Sequence, residues 1–173
     1  MELKDRNIII LVEQMFNDLE FWYPFYRLKE EGAGVTVVGS GQSGSYIGKS
    51  GTVAAVDASA DDIKISDYSG LVIPGGYAPD HMRRYPAMIK LVTDMVEMKK
   101  PVAAICHAGW MLVSAGILNG RTVTSFFAIK DDLTNAGAVW TDKSVVVDGN
   151  LITSRTPDDL PDFMREFISA LKR

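Results

Sequence analysis

Apolar and polar positions along this chain fall into two patterns that alternate. Mainly apolar runs recur at residues 7–12 (NIIILV), 35–38 (VTVV), 71–73 and 102–105 (VAAI). Such runs are too short for independent helices and too uniformly apolar for half-exposed strands, so they predict central strands covered on both faces. Between them the spacing turns helical. Residues 19–31 predict a helix with Leu19, Trp22, Tyr23, Tyr26 and Leu28 inward, Pro24 in its first turns and Gly32 and Gly34 ending it. Residues 86–99 predict a second, with Met88, Ile89, Leu91, Val92, Met95 and Val96 as its apolar positions. Shorter helices are expected at 108–115 and 129–135. The last helix is expected to be capped by Asp158 or Asp159 and to bury Leu160, Phe163, Met164, Phe167, Ile168 and Leu171.

The remaining segments read as connections. Residues 39–51 are rich in Gly and Ser and predict a loop or hairpin without chemistry, and 52–56 a short edge strand. Residues 123–127 read as extended. Asp148-Gly149-Asn150 between two apolar runs, 145–147 and 151–153, predicts a tight hairpin. Strands alternating with helices call for an α/β fold of flavodoxin-like type, a three-layer sandwich whose mostly parallel sheet carries helices on both faces. One domain spanning residues 1–173 is the simplest division.

Composition narrows the partners more than the fold. The net charge is −4 and the 18 Lys and Arg are scattered, so neither nucleic acid nor an anionic membrane is expected as a partner. The charged first residues resemble no leader peptide, and no apolar run approaches the ~18 residues a membrane helix needs. A single cysteine permits no disulfide within the chain and agrees with a reducing compartment, so a cytoplasmic location is expected.

That cysteine, Cys106, stands with His107 at the bend between the run 102–105 and the following helix. A thiol at the carboxyl end of a strand, with a helix amino end beneath it, tends toward thiolate. A lone cysteine closing an apolar strand also fits plain core, where free cysteine is common. His107 argues the other way, because it cannot be buried without a polar partner. A second corner lies at Pro74-Gly75-Gly76. Alone it reads as a tight turn, but a crossover of this length brings its strand beside that of Cys106, where the N–H groups of Gly75 and Gly76 are expected to stabilise an oxyanion. Four acids are candidates for the same end of the sheet: Glu13, Asp18, Glu20 and Asp80. Glu20 reads either as a first-turn helix charge or as a carboxyl in the pocket, where its protonated form would hydrogen-bond the thiolate. Asp80 reads either as a helix cap or as the group that orients His107.

Other nucleophile classes fit poorly. Ala104 and Ala108 stand where a hydrolase elbow needs glycine. No histidine follows His107, which disfavours class I amidotransfer and papain-like chemistry. Two His and one Cys are too few for the usual metal sites, and no glycine cluster follows the first strand.

Five stretches carry a resemblance: 18–32 (DLEFWYPFYRLKEEG), 71–84 (LVIPGGYAPDHMRR), 100–118 (KPVAAICHAGWMLVSAGIL), 129–140 (IKDDLTNAGAVW) and 145–167 (VVVDGNLITSRTPDDLPDFMREF). Together they resemble the PfpI group, the superfamily of intracellular protease I and the Parkinsonism-associated deglycase. The resemblance implies Cys106 as nucleophile, His107 as its neighbour in a Cys-His-acid arrangement, Glu20 as the carboxyl contacting the thiol, and the backbone at Gly76 and His107 as oxyanion site. It places Asp80 where relatives carry a Glu donated across a subunit interface, and Asn17 where some carry a carboxylate. A homo-oligomer, a dimer or ring of dimers, is implied. So is cysteine-dependent hydrolysis without metal or organic cofactor, acting on reactive aldehydes, glycated proteins or peptides, or else a stress role as redox sensor or chaperone through Cys106 oxidation. Tyr77, Trp110 and Phe126 are aromatics expected near the pocket.

Overall fold

In a computed structural model that describes residues 2–173, the four apolar runs become four consecutive strands of one sheet. In chain order the elements are β1 (Asn7–Leu11), α1 (Asp18–Glu30), β2 (Gly34–Gly39), β3 (Ser45–Ile47), β4 (Val53–Ala55), β5 (Ala58–Ser59) and β6 (Gly70–Ile73). They continue with α2 (Ala78–Met82), α3 (Pro86–Glu97), β7 (Val102–Ile105), α4 (Gly109–Ser114), β8 (Thr122–Val123), α5 (Lys130–Asn135) and β9 (Val139–Trp140). The hairpin β10 (Val145–Asp148) and β11 (Leu151–Ser154) and the helix α6 (Leu160–Leu171) complete the described chain. The main sheet has the order β10-β11-β7-β6-β1-β2-β5, and only the β10/β11 pair is antiparallel.

That order positions the site. From β1 the chain crosses over to β2 on one side, whereas from β6 it crosses to β7 on the other. Right-handed crossovers running in opposite directions place α1 and α3 on opposite faces. α1 packs with α6, and α3 packs on β6 and β7 beside α4. Between β1 and β6 the direction of winding reverses, and in such sheets the crevice for ligands lies outside the carboxyl ends of the strands at that point. The residues that follow β1, β6 and β7 are therefore the ones brought together.

α6 buries the six residues expected of it, but the cap differs. Asp159 occupies the cap position without bonding the helix backbone, because its carboxylate accepts from Arg155 at 2.9 and 3.1 Å. α1 is turned from the expected face. It buries Glu20, Phe21, Pro24 and Leu28, while Leu19 is 61% and Tyr26 63% exposed and Tyr23 is exposed as well. Its aromatic residues Trp22, Phe25 and Tyr26 pack on one another along the flank, and that run of rings gave a second, misleading apolar stripe. Residues 52–56 do not edge the main sheet. β4 pairs with β3 in a separate hairpin, and β5 takes the edge beside β2. The extended segment at 123–127 shortens to β8, paired with β9, since Phe127 already begins a 3-10 turn. No described helix is long and apolar enough to cross a membrane.

Candidate active site

β7 ends in extended backbone at Ile105, and Cys106 then takes a left-handed conformation, φ 62°, at the start of a 3-10 turn (Cys106–Ala108) that leads into α4. A residue with a side chain in that region costs on the order of 1–3 kcal/mol and persists only where its surroundings hold it. What the bend achieves is to set the sulfur against the backbone N–H groups of His107 and Gly76 and against the carboxyl of Glu20. Cys106 is 8% exposed. A cavity of about 220 Å³ opens on it. The expected residues Glu20, Gly76, Tyr77, Cys106, His107 and Phe126 line this cavity, joined by Asn17, Lys49, Thr156 and Pro157.

Glu20 arrives from the first turn of α1. Asn17 caps that helix, its Oδ1 accepting from the N–H groups of Leu19 and Glu20 at 3.1 and 3.3 Å, so the glutamate side chain is free for other work. It is wholly buried. Gly75 N–H donates to its Oε2 at 2.8 Å, while Oε1 has no hydrogen-bond partner among the described residues. This corrects the expectation for Gly75, whose N–H is occupied by Glu20 and does not serve an oxyanion. The role of that glycine is close approach. A Cβ there would lie 2.6 Å from Glu20 Oε2 and 2.8 Å from the Cys106 Cβ. The two corners are tied further by Asn17 N–H to the Gly75 carbonyl at 3.1 Å and Tyr77 N–H to the Met15 carbonyl at 2.9 Å.

Burial pushes the Glu20 carboxyl up to about 7, against the opposing pull of the Gly75 N–H, the thiol and the Lys49 charge. Burial likewise pushes the Cys106 thiol up to about 12, and a charged Glu20 beside it acts in the same direction. The expected lean toward thiolate is opposed by that burial and by the neighbouring carboxylate, and so depends on the protonation of Glu20. The helix beneath it is the short α4, and burial together with a neighbouring carboxylate outweighs the N–H groups of His107 and Gly76. The two groups are coupled. A proton on Glu20 removes the repulsion and supplies a donor to the sulfur.

His107 Nδ1 lies 3.3 Å from the sulfur. Burial, followed by the charge of Lys49, lowers its pKa, so the ring is neutral at neutral pH. Among the described residues no acid bonds its ring. Asp80 sits inside α2, where Tyr77 holds the cap position, and its carboxylate pairs with Arg84 one turn on. Neither expected role of Asp80 is fulfilled within the chain. The imidazole is held instead by aromatic packing, stacked on Phe126 at 5.0 Å and meeting the edge of Trp110 at 5.1 Å. Of the other acids, Glu13 is buried and accepts from the Ser40 hydroxyl, and Asp18 binds the loop after β3. Neither lines the cavity.

Lys49, Thr156 and Pro157 were missed. Lys49 stands in a Gly- and Ser-rich loop with no periodicity to mark it. Thr156 and Pro157 were legible in principle, because β11 runs parallel beside β7 and whatever follows it must reach the same end of the sheet. A larger concavity of about 900 Å³, lined by Arg6, Lys99, Lys100 and Arg121 among others, has neither cysteine nor histidine in its lining. Among the described residues no cluster of three or more His, Cys, Asp or Glu is arranged to hold a metal ion.

Comparison with known proteins gives one consistent picture. The model of the DJ-1/PfpI family matches residues 6–170. The chain is 44% identical to the protein named deglycase PfpI of Pyrococcus furiosus, covering 95% of this chain and 99% of that one. It is 40% identical to general stress protein 18 of Bacillus subtilis, covering 97% and 99%. Among solved structures, a two-domain protein of Anabaena variabilis with DJ-1/ThiJ/PfpI-like and ferritin-like domains superposes with a TM-score of 0.94 at 42% identity; the match covers 96% of this chain and 48% of that one.

Proposed function

The chain belongs to the DJ-1/PfpI family, and we propose that it is a cysteine-dependent enzyme acting on small reactive aldehydes or the adducts they form on proteins. The observation that carries this reading is the setting of Cys106: a sulfur on a strained bend, faced by two backbone N–H groups and a buried carboxyl, at a cavity of about 220 Å³. That volume suits a small carbonyl compound and leaves little room for a peptide segment, so peptidase action is the weaker alternative. The names of relatives such as deglycase PfpI and general stress protein 18 point the same way.

With methylglyoxal the steps follow from the residues present. Glu20, holding a proton, donates to the sulfur and favours the thiolate. The thiolate attacks the aldehyde carbon, the C=O electron pair moves to oxygen, and the N–H groups of Gly76 and His107 face the charge that develops. His107, neutral and 3.3 Å from the sulfur, moves the proton from the former aldehyde carbon to the neighbouring carbon, converting the hemithioacetal to a thioester. Water then cleaves the thioester, releasing lactate and restoring the thiol. The net reaction is addition of water, with no external oxidant or reductant. A dimer or ring of dimers belongs to this reading: Asp80, half-buried on α2, pairs with Arg84 in its own chain, and in the reading it meets the His107 of another copy.

The test is lactate formation from methylglyoxal by wild type and Cys106→Ala. Wild-type turnover that disappears in the variant is expected. Equal turnover in both would remove Cys106 from the mechanism. No wild-type turnover, with mild peroxide converting Cys106 selectively to the sulfinate, would favour the redox-sensor alternative.

A further inference from the structure

We infer that Lys49 is a specificity residue that selects carbonyl compounds bearing a carboxylate, so that 2-oxo acids and their aldehyde analogues are the preferred class at the Cys106 pocket. This rests on Cys106 being the reacting group, as proposed above.

The local architecture fixes Lys49 where it is. Between β3 and β4 the chain turns through Gly48, Lys49, Ser50 and Gly51, and the carboxylate of Asp18 gathers this turn. It accepts from Ser50 N–H at 2.7 Å, Thr52 N–H at 3.1 Å and the Thr52 hydroxyl at 2.5 Å. Burial raises the pKa of Asp18, but these three donors outweigh it and hold the carboxyl below its usual range. Gly48 lies so close that a Cβ would come within 2.5 Å of Asp18 Oδ1. Lys49 N–H donates to the Phe16 carbonyl at 2.9 Å, and Trp22 steadies Thr52 from the far side through a 2.9 Å bond from its ring N–H. The loop is thus bound to the start of α1, the same turn that supplies Glu20.

The ammonium that results lines the pocket, 5.5 Å from the centre of the Tyr77 ring. No carboxylate lies within salt-bridge distance of it among the described residues. Its charge reaches both Glu20 and His107. In the state ready to react, Glu20 carries a proton and His107 is neutral, so the charges lining the cavity are the thiolate and this cation. A carboxylate next to the carbonyl carbon balances the cation while leaving that carbon for the sulfur. A fixed cation at the edge of a partly dry cavity makes a one-charge difference between substrates count.

The experiment compares two alkylating agents of nearly equal size. Iodoacetate carries a carboxylate and iodoacetamide is neutral, and with either the sulfur forms an S–C bond as iodide leaves. Both read the same thiolate, so the ratio of their second-order rate constants cancels any change in thiol ionisation. Substituting Lys49→Met is expected to lower the iodoacetate-to-iodoacetamide ratio roughly five- to tenfold, the size of one unscreened charge at this range. Lys49→Arg should keep most of the wild-type ratio, and 1 M salt should shrink the gap between wild type and Lys49→Met. Asp18→Asn, which leaves Lys49 in place but loosens its loop, should lower the ratio as well. A ratio in Lys49→Met within twofold of wild type overturns the inference while leaving Cys106 as nucleophile. Failure of iodoacetamide itself to label native wild type would overturn both the inference and the reading beneath it.

Discussion

The helices α1 and α6 pack against each other beside the sheet, are of nearly equal length, and obey different rules. α6 places Leu160, Phe163, Met164, Phe167, Ile168 and Leu171 in the core, as its periodicity demands. α1 buries Asp18 and Glu20 in its first turn and leaves Leu19 and Tyr26 in solvent. The reason is that α6 has only the core to serve. The rotation of α1 is fixed by two carboxylates with tasks, Asp18 clamping the loop of Lys49 and Glu20 facing the thiol, and the apolar residues take the orientation that remains. Burying a carboxylate is costly, so a helix that does so has surrendered stability to a site.

The comparison is tested hardest on α6. Phe167 is wholly buried, its ring tip 3.0 Å from where Gly70 would carry a Cβ. Phe167→Ala should cost about 3–5 kcal/mol, read as a lower urea midpoint at unchanged slope. A loss below about 1 kcal/mol would mean that α6 is not the packing helix its pattern describes.

The next effect belongs to α1 and has the opposite sign. Glu20 keeps its proton to about 7 in the folded chain, against an ordinary 4.5. Between those values the folded state binds more protons than the unfolded one, so stability is fully present below about pH 4.5 and falls as pH rises to about 7. The fall is at most about 3 kcal/mol. Glu20→Gln has no such proton to lose. Its stability should be flatter across that window and exceed wild type at pH 8, while its reaction with iodoacetamide is impaired. Parallel stability curves for the two proteins would show that Glu20 is an ordinary surface-like carboxylate and that α1 and α6 differ only in composition.

The same contrast explains what could be read from the letters. The parallel sheet was legible because β6, β7 and nearly all of β1 are buried on both faces and need uninterrupted apolar residues. The β6–α3–β7 crossover then placed the glycine corner beside Cys106, and α6 followed from its period. What failed was wherever polar contacts overrule apolar pattern. The face of α1 was misjudged because the side chains that decide it are acidic. Asp159 looked like a cap but pairs with Arg155. Gly75 looked like an oxyanion donor, but its N–H is taken by Glu20. Lys49 could not be found at all, since its position depends on hydrogen bonds to Asp18 from a loop that carries no pattern of its own.

The smallest effect is the most discriminating for α1. Leu19 lies between Asp18 and Glu20 yet is 61% exposed, so within one chain it contributes little buried area. Leu19→Ser should change stability by less than about 0.5 kcal/mol, as for a surface site, although the sequence pattern places it inside. The substitution also keeps the Asn17 cap and both carboxylates, so labelling of Cys106 by iodoacetamide should match wild type. A loss above about 1 kcal/mol would show that something covers this flank. Its dependence on protein concentration would then identify the cover: a loss that shrinks as the protein is diluted points to a second copy of the chain, because the contact it removes stabilises by association and disappears on dissociation. In that event the outward apolar residues of α1 would have a partner after all, and the helix would be serving two surfaces, its own site and its neighbour.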